Sequence, residues 1–173
     1  MSAFAFAVGT ITPGAGTADN TQLTTGTYMG IVGGSALQTN FVDEVYMGGQ
    51  AASTAPLIML LGHDSTLGAT PTALSTPNSF GPTNINAGVL TAPAVGFVAC
   101  TTQPSRSNSI TVAKKNFTFN AFGGIVRANY ANTSDRFCIF AAATTTSSEL
   151  SLSSFTGSTA AAAIGAHILI ETM

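Results

Sequence analysis

Short runs of alternating apolar and polar residues fill most of this chain, and a period of two is the signature of a half-buried strand. Asn116-Phe117-Thr118-Phe119-Asn120-Ala121 places two phenylalanines on one face and polar groups on the other, and Phe122-Gly123-Gly124 then breaks the register. A bulge or hairpin is predicted at that break. Phe4, Phe6 and Val8 alternate with alanine in the same way. In the run from Asn40 to Met47, alternation puts Phe41, Asp43, Val45 and Met47 on one face and Val42, Glu44 and Tyr46 on the other. Leu57-Ile58-Met59-Leu60-Leu61, bounded by Pro56 and Gly62, is apolar throughout, as expected of a strand covered on both faces.

Further strands are predicted over 27–32, 95–100, 125–130, 137–142, 149–155 and 167–171, about ten in all with the turn signals between them. The stretch 62–93 holds Pro71, Pro77, Pro82 and Pro93 among Gly, Asn, Ser and Thr. Proline removes a ladder donor, so this stretch reads as one long loop. Only Ala160–Ala163 has helix propensity, and four residues do not nucleate a helix alone. The pattern predicts an all-β chain with little or no helix, an antiparallel β-sandwich or jelly roll with long loops. It divides into an N-terminal arm and loop over 1–25 and a single domain over 26–173, a length sufficient for a proper core.

Composition sharpens the picture. Of 173 residues, 45% are apolar and only 7% charged, with 18 glycines and long Thr/Ser/Ala/Gly stretches. An ordinary soluble domain carries about a quarter charged residues, which keep its surface solvated and like molecules apart. A surface of hydroxyls, amides and methyls desolvates cheaply and suits a subunit packed against copies of itself or a larger assembly. The net charge of −2 and the five bases, Arg106, Lys114, Lys115, Arg127 and Arg136, offer no phosphate-tracking groove, so nucleic acid is not an expected partner. The longest nearly apolar run, Ala160 to Ile170, is too short to span a bilayer and contains His167, so no membrane is expected. Cys100 and Cys138 each sit in an apolar segment, as buried thiols do, and a single disulfide between them is the less favoured alternative.

Candidate chemistry is sparse. His63-Asp64 is the most enzyme-like pair, but neighbours on a strand point to opposite faces. His167 and Glu171 share one face of a predicted strand, without metal-ligand spacing. Asp43 and Glu44 point apart, which is wrong for an acid/base pair, and Asp43, on the more apolar face, calls for an arginine partner. No nucleophile elbow or phosphate loop occurs. The expectation is no catalytic, metal or cofactor residue, hence no enzyme. Carbohydrate binding is the alternative, because sandwiches often carry lectin sites. Against it stand the absence of tryptophan and the presence of only three tyrosines, Tyr28, Tyr46 and Tyr130.

Thr25-Gly-Thr-Tyr-Met-Gly-Ile-Val-Gly-Gly34, Glu44-Val-Tyr-Met-Gly-Gly49, Asn120-Ala-Phe-Gly-Gly-Ile-Val-Arg127 and Gly165-Ala-His-Ile-Leu-Ile-Glu171 resemble segments of the auxiliary virion proteins of tailed phages. The resemblance covers most of the chain from Thr25 onward. It implies a capsid decoration, or cement, protein: a homotrimer in the virion, bound to the outside of a shell of major capsid protein, with no catalytic residues. A jelly-roll shell subunit or a tail-fibre component belongs to the same structural class. The expected contacts are Phe4 and Phe6 of the arm, adding a strand to a neighbouring sheet, the long loop, and Arg106, Lys114, Lys115 and Arg127 against an acidic shell.

Overall fold

A computed structural model describes residues 2–11, 28–34, 38–74, 80–84, 94–106, 113–140, 148–154 and 163–173. The described residues form strands β1 (Ser2–Ile11), β2 (Tyr28–Gly33), β3 (Asn40–Gly49), β4 (Pro56–His63), β5 (Ala69–Ala73), β6 (Phe80–Asn84), β7 (Ala94–Thr102), β8 (Lys114–Asn120), β9 (Ile125–Asn129), β10 (Cys138–Ile139), β11 (Glu149–Ser154) and β12 (Ile164–Thr172). They make two six-stranded antiparallel sheets. The first runs β10-β3-β12-β1-β6, with β9 also pairing β3, and the second runs β5-β7-β2-β11-β4-β8. The chain is an all-β sandwich.

The core lies between the sheets and is built by the alternation the sequence displays. Phe4, Phe6 and Val8 of β1, Val45 and Met47 of β3, and Ile164, Ile168 and Ile170 of β12 face Met29 and Ile31 of β2, Leu57, Met59 and Leu61 of β4, and Leu150 and Leu152 of β11. In β12 the burial alternates residue by residue from Ile164 to Thr172. Burying such side chains supplies about 1.5–3 kcal/mol each, before conformational entropy is deducted.

Four expectations need correction. Of the expected N-terminal arm and loop over 1–25, residues 2–11 are a strand inside the first sheet and 12–25 lie outside the described residues: β1 pairs β12 from Ser2↔Thr172 to Ile11↔Ile164 and takes β6 on its other side. Phe6 is fully buried, so the apolar alternation that suggested an arm serves the chain's own core. The stretch 62–93 is not one loop, since it contains β5 and β6. Both are edge strands, which is where Pro71 and Pro82 cost no inner ladder bond. The faces of β3 are also not those of a regular strand. Leu169 of β12 pairs Glu44 while Ile170 pairs Val42, so Asp43 is the extra residue of a bulge. The bulge turns Val42 into the core with Val45 and Met47 and leaves Phe41 half-buried, under the Arg136 guanidinium at 4.6 Å. Finally, the strand predicted over 137–142 is shorter, with β10 confined to Cys138–Ile139. The alanine run at 160–162 lies outside the described residues.

The break at Phe122-Gly123-Gly124 is neither the bulge nor the hairpin expected there but a turn that carries the chain from β8 in one sheet to β9 in the other, with Gly123 at φ 66°. Behind the second sheet lies a smaller buried layer of Tyr28, Val32, Phe97 and Cys100. The Tyr28 and Phe97 rings meet edge to face at 6.0 Å. Phe97 crosses over Gly30, where a β-carbon would overlap its ring. This layer and the residues 103–106 that follow β7 cover a row of polar side chains.

Candidate functional site

That polar row arises from the alternation in β11. Leu150 and Leu152 enter the core, so Glu149, Ser151 and Ser153 point to the other side of the sheet. Across the strand pair, Ser151 is level with Gly62 and Ser153 with Leu60, and the Asp64 amide donates to the Glu149 carbonyl at 3.3 Å. Asp64 and Glu149 therefore stand side by side. Gly62 leaves room for side chains from above, and the Lys114 stem and Arg106 share it. Its guanidinium donates to the Leu60 carbonyl at 3.3 Å, Ser153 Oγ at 2.9 Å, the Ser151 carbonyl at 2.8 Å and Ser151 Oγ. Its Nε lies 3.7 Å from Asp64 Oδ1, which also accepts from Ser151 Oγ at 2.5 Å. The Gly68 amide donates to the Glu149 carboxyl at 3.2 Å. Next to this cluster, the Tyr28 hydroxyl donates to Gln103 Oε1, and Gln103 Nε2 donates to the Cys100 carbonyl at 2.8 Å.

Burial sets the electrostatics. Asp64, Arg106 and Glu149 are 1%, 2% and 1% exposed. Burial, reinforced by the neighbouring Asp64 carboxyl, pushes Glu149 up to about 9. Burial also raises Asp64, opposed by Arg106 and by hydrogen bonds from Glu149 and Ser151 that favour its anion. The Tyr28 hydroxyl and the Cys100 thiol are raised, in both cases chiefly by burial. His63 and Asp64 diverge as strand neighbours should. His63 turns its ring against Phe137 at 5.5 Å and its Nδ1 to the Glu149 carbonyl at 3.1 Å, and burial lowers its pKa. The polar cluster is closed over, so in this conformation it knits strands together and exposes no reacting group.

The residues expected at an interface have other roles. Phe4 and Phe6 are core, and Arg106 is the buried clamp, so none of these three reaches a partner's surface. Lys115 bonds Asp135 at 2.7 Å and lies 3.9 Å over the Tyr130 ring. Arg127 is exposed but bonds Glu44 at 2.6 Å. Lys114 is half-buried, level with Gly62. Asp43 has the arginine partner expected for it: Arg136 Nη1 lies 2.9 Å from Asp43 and 3.0 Å from Glu171. Every acidic side chain among the described residues is thus in an ion pair or, for Glu149, in the buried acid pair. Cys100 and Cys138 are unbridged thiols.

With charge neutralised internally, the outer surface is notable for apolar side chains. Ile125, Phe122 and Phe140 are 66%, 56% and 51% exposed, and all lie on or beside the elements bordering β3. On the outer face of the first sheet, Tyr46, His167 and Ala7 form a row across β3, β12 and β1. In the next row Gly48 and Gly165 face each other, with Ile125 beyond Gly48. The bare glycines leave a cleft of about 470 Å³ that Tyr46, Gln50, Ile125 and His167 help to line. Among the described residues no group of three His, Cys, Asp or Glu side chains is placed to hold a metal ion.

Sequence reasoning singled out Asp64 and Arg106 but did not bring them together, and it missed Glu149. The signal for Glu149 was present in the Leu150/Leu152 alternation, which assigns it to the same face as Ser151 and Ser153. No protein-family model, curated protein or solved structure matches the chain significantly.

Proposed function

We propose that this chain is a structural virion subunit of the decoration type, a homotrimer that stabilises a phage capsid by packing on the outside of its major capsid protein. The observation that carries the reading is a surface whose charges are neutralised within the subunit while Phe122, Ile125 and Phe140 stand exposed. Such a surface loses little hydration free energy on contact, and exposed apolar side chains add area whose burial favours association. The resemblance to auxiliary virion proteins supplies the partner. Light scattering on a sizing column tests the proposal: a mass near three times 17.4 kDa, together with retention on undecorated capsids after add-back, is the expected result. A stable monomer that does not bind capsids overturns it. A megadalton particle identifies a shell-forming subunit instead.

The cleft beside Tyr46 favours a second reading, carbohydrate binding. Tyr46 is 39% exposed and gives a ring face for a sugar, and His167 stands beside it. The volume falls within the range of about 300–1,000 Å³ usual for small-ligand sites. A glycan array with wild type and Tyr46→Ala tests it, and binding by wild type that the substitution removes is the supporting result.

A further inference from the structure

We propose that a single proton, carried by Glu149 and donated to Asp64, closes a buried latch that fastens residues 64–68 and edge strand β5 to the second sheet, and that alkali opens it. The geometry requires a proton here. Asp64 and Glu149 are strand neighbours on one face, both buried, with Arg106 the cation against them. Like charges side by side across a strand pair repel, and two anions against one guanidinium leave a net buried charge. Asp64 Oδ2 is fully buried and without a hydrogen-bond partner. Yet the Glu149 carboxyl lies within hydrogen-bonding reach of Asp64. One proton between them satisfies Oδ2 and removes the surplus charge.

The proton resides on Glu149 because Asp64 has the better anion site. Asp64 Oδ1 has Arg106 and the Ser151 hydroxyl, whereas Glu149 has the Gly68 amide at 3.2 Å from each oxygen. The other titratable groups around the pair do not substitute for it. His63 of β4 turns away to the other side of the sheet, Lys114 of β8 lies level with Gly62, and Tyr28 of β2 and Cys100 of β7 are both raised and neutral at pH 7. Strand β5 adds no titratable side chain.

The pair acts as a latch because of what Glu149 holds. Gly68 immediately precedes β5, an edge strand whose five residues are all exposed and which pairs only β7. The crossing before it is pinned by the Ser65 amide to the Ser105 carbonyl at 2.7 Å and by the Thr66–Ser105 bridge, next to Arg106. Ionising Glu149 sets a second anion against Asp64; burial and that repulsion outweigh the Gly68 amide's preference for the carboxylate and expel it toward water, which releases Gly68. This device stands on the fold alone and does not depend on the assembly reading.

Difference infrared titration of the wild-type protein tests the proton. The expected result is a protonated-carboxyl band at pH 7 that disappears with a midpoint near 9 and is missing in Glu149→Gln. No such band at pH 7, or a midpoint at or below neutrality, overturns the proposal. Amide hydrogen exchange over residues 65–73, corrected for base catalysis, tests the latch. Protection is expected in wild type below the midpoint and in Glu149→Gln, whose amide still donates to Asp64, with selective loss in Glu149→Ala and in wild type above the midpoint. Unchanged protection across the wild-type midpoint overturns the latch even if neither variant folds.

Discussion

Replacing Arg106 by alanine removes the clamp and leaves a buried carboxylate without its cation. Four hydrogen bonds go with it, to the Leu60 and Ser151 carbonyls and to the hydroxyls of Ser151 and Ser153. Removing one partner of a buried ion pair costs about 3–5 kcal/mol, a large fraction of the roughly 5–15 kcal/mol that holds a domain folded. Proton uptake by Asp64 limits that loss. Protonating a carboxyl whose ordinary value is 3.8 costs about 4.4 kcal/mol at pH 7 and about 1.6 kcal/mol at pH 5, at about 1.36 kcal/mol per unit. The electrostatic part of the penalty is therefore smaller by up to about 2.7 kcal/mol at pH 5 than at pH 7. Urea unfolding followed by circular dichroism at both pH values measures this difference. Adding Asp64→Asn should recover more than half of the pH 7 loss, because no buried anion then remains. A loss below about 1 kcal/mol at pH 7, the level of an ordinary surface substitution, or a loss equal at the two pH values, refutes the account of Arg106 as a buried counter-charge.

Other predictions follow from packing and from the proposed contact surface. Gly30→Ala drives a methyl into the Phe97 ring; thermal denaturation should show a loss of about 1–3 kcal/mol, most of it recovered by adding Phe97→Leu. Phe6→Ala opens a cavity in the core and should cost about 3–5 kcal/mol in the same assay. Deleting 2–8 removes most of an inner strand and should abolish folding, where an arm's removal would leave the fold intact. Phe122→Ser with Ile125→Glu should leave the melting temperature within the error of wild type but lower the native mass on a sizing column. An unchanged mass places the subunit contact elsewhere.

Local pattern carried the sequence reading a long way. The alternation in β8, β11 and β12, the apolar run of β4 and the strand break at Gly123 were all legible because these signals are local, whereas the turn's crossing between sheets was not. The N-terminal segment was also legible as a strand, but not its pairing partner. Whether Phe4 and Phe6 fill their own core or a neighbour's depends on β12 and β6 closing around them, and periodicity does not report that. Strands β5 and β6 were hidden by Pro71 and Pro82, which argue against inner strands and are silent on edge strands. The bulge at Asp43 was invisible because a one-residue insertion shows only in the register with β12. The polar cluster joins residues from three distant segments, each of which reads by itself as a polar strand end.

The pH profile of stability separates the two buried groups that titrate around neutrality. Glu149 is raised from its ordinary 4.5 to about 9, so between those values the folded chain holds a proton that the unfolded chain has released. Its contribution is complete below 4.5 and falls by up to about 1.4 kcal/mol per pH unit until the folded value is passed. His63 acts in the opposite sense. Burial lowers it from 6.5, so the unfolded chain binds the extra proton, and stability is lost as pH falls from 6.5 through the folded value. Just below 6.5 the two slopes oppose each other, and wild type should decline less steeply there than above 6.5. Above 6.5 only Glu149 of the pair acts, and stability should decline toward pH 9, where the raised thiols of Cys100 and Cys138 begin to add losses of the same sign. Glu149→Gln removes one slope and uncovers the other: its stability should climb up to pH 6.5 and stay level above it until the thiols begin to ionise near pH 9. A Glu149→Gln profile parallel to wild type between pH 6.5 and 9 would mean that another group carries the proton. A decline that disappears in that interval only when His63 is replaced by Phe would assign the slope to the imidazole instead.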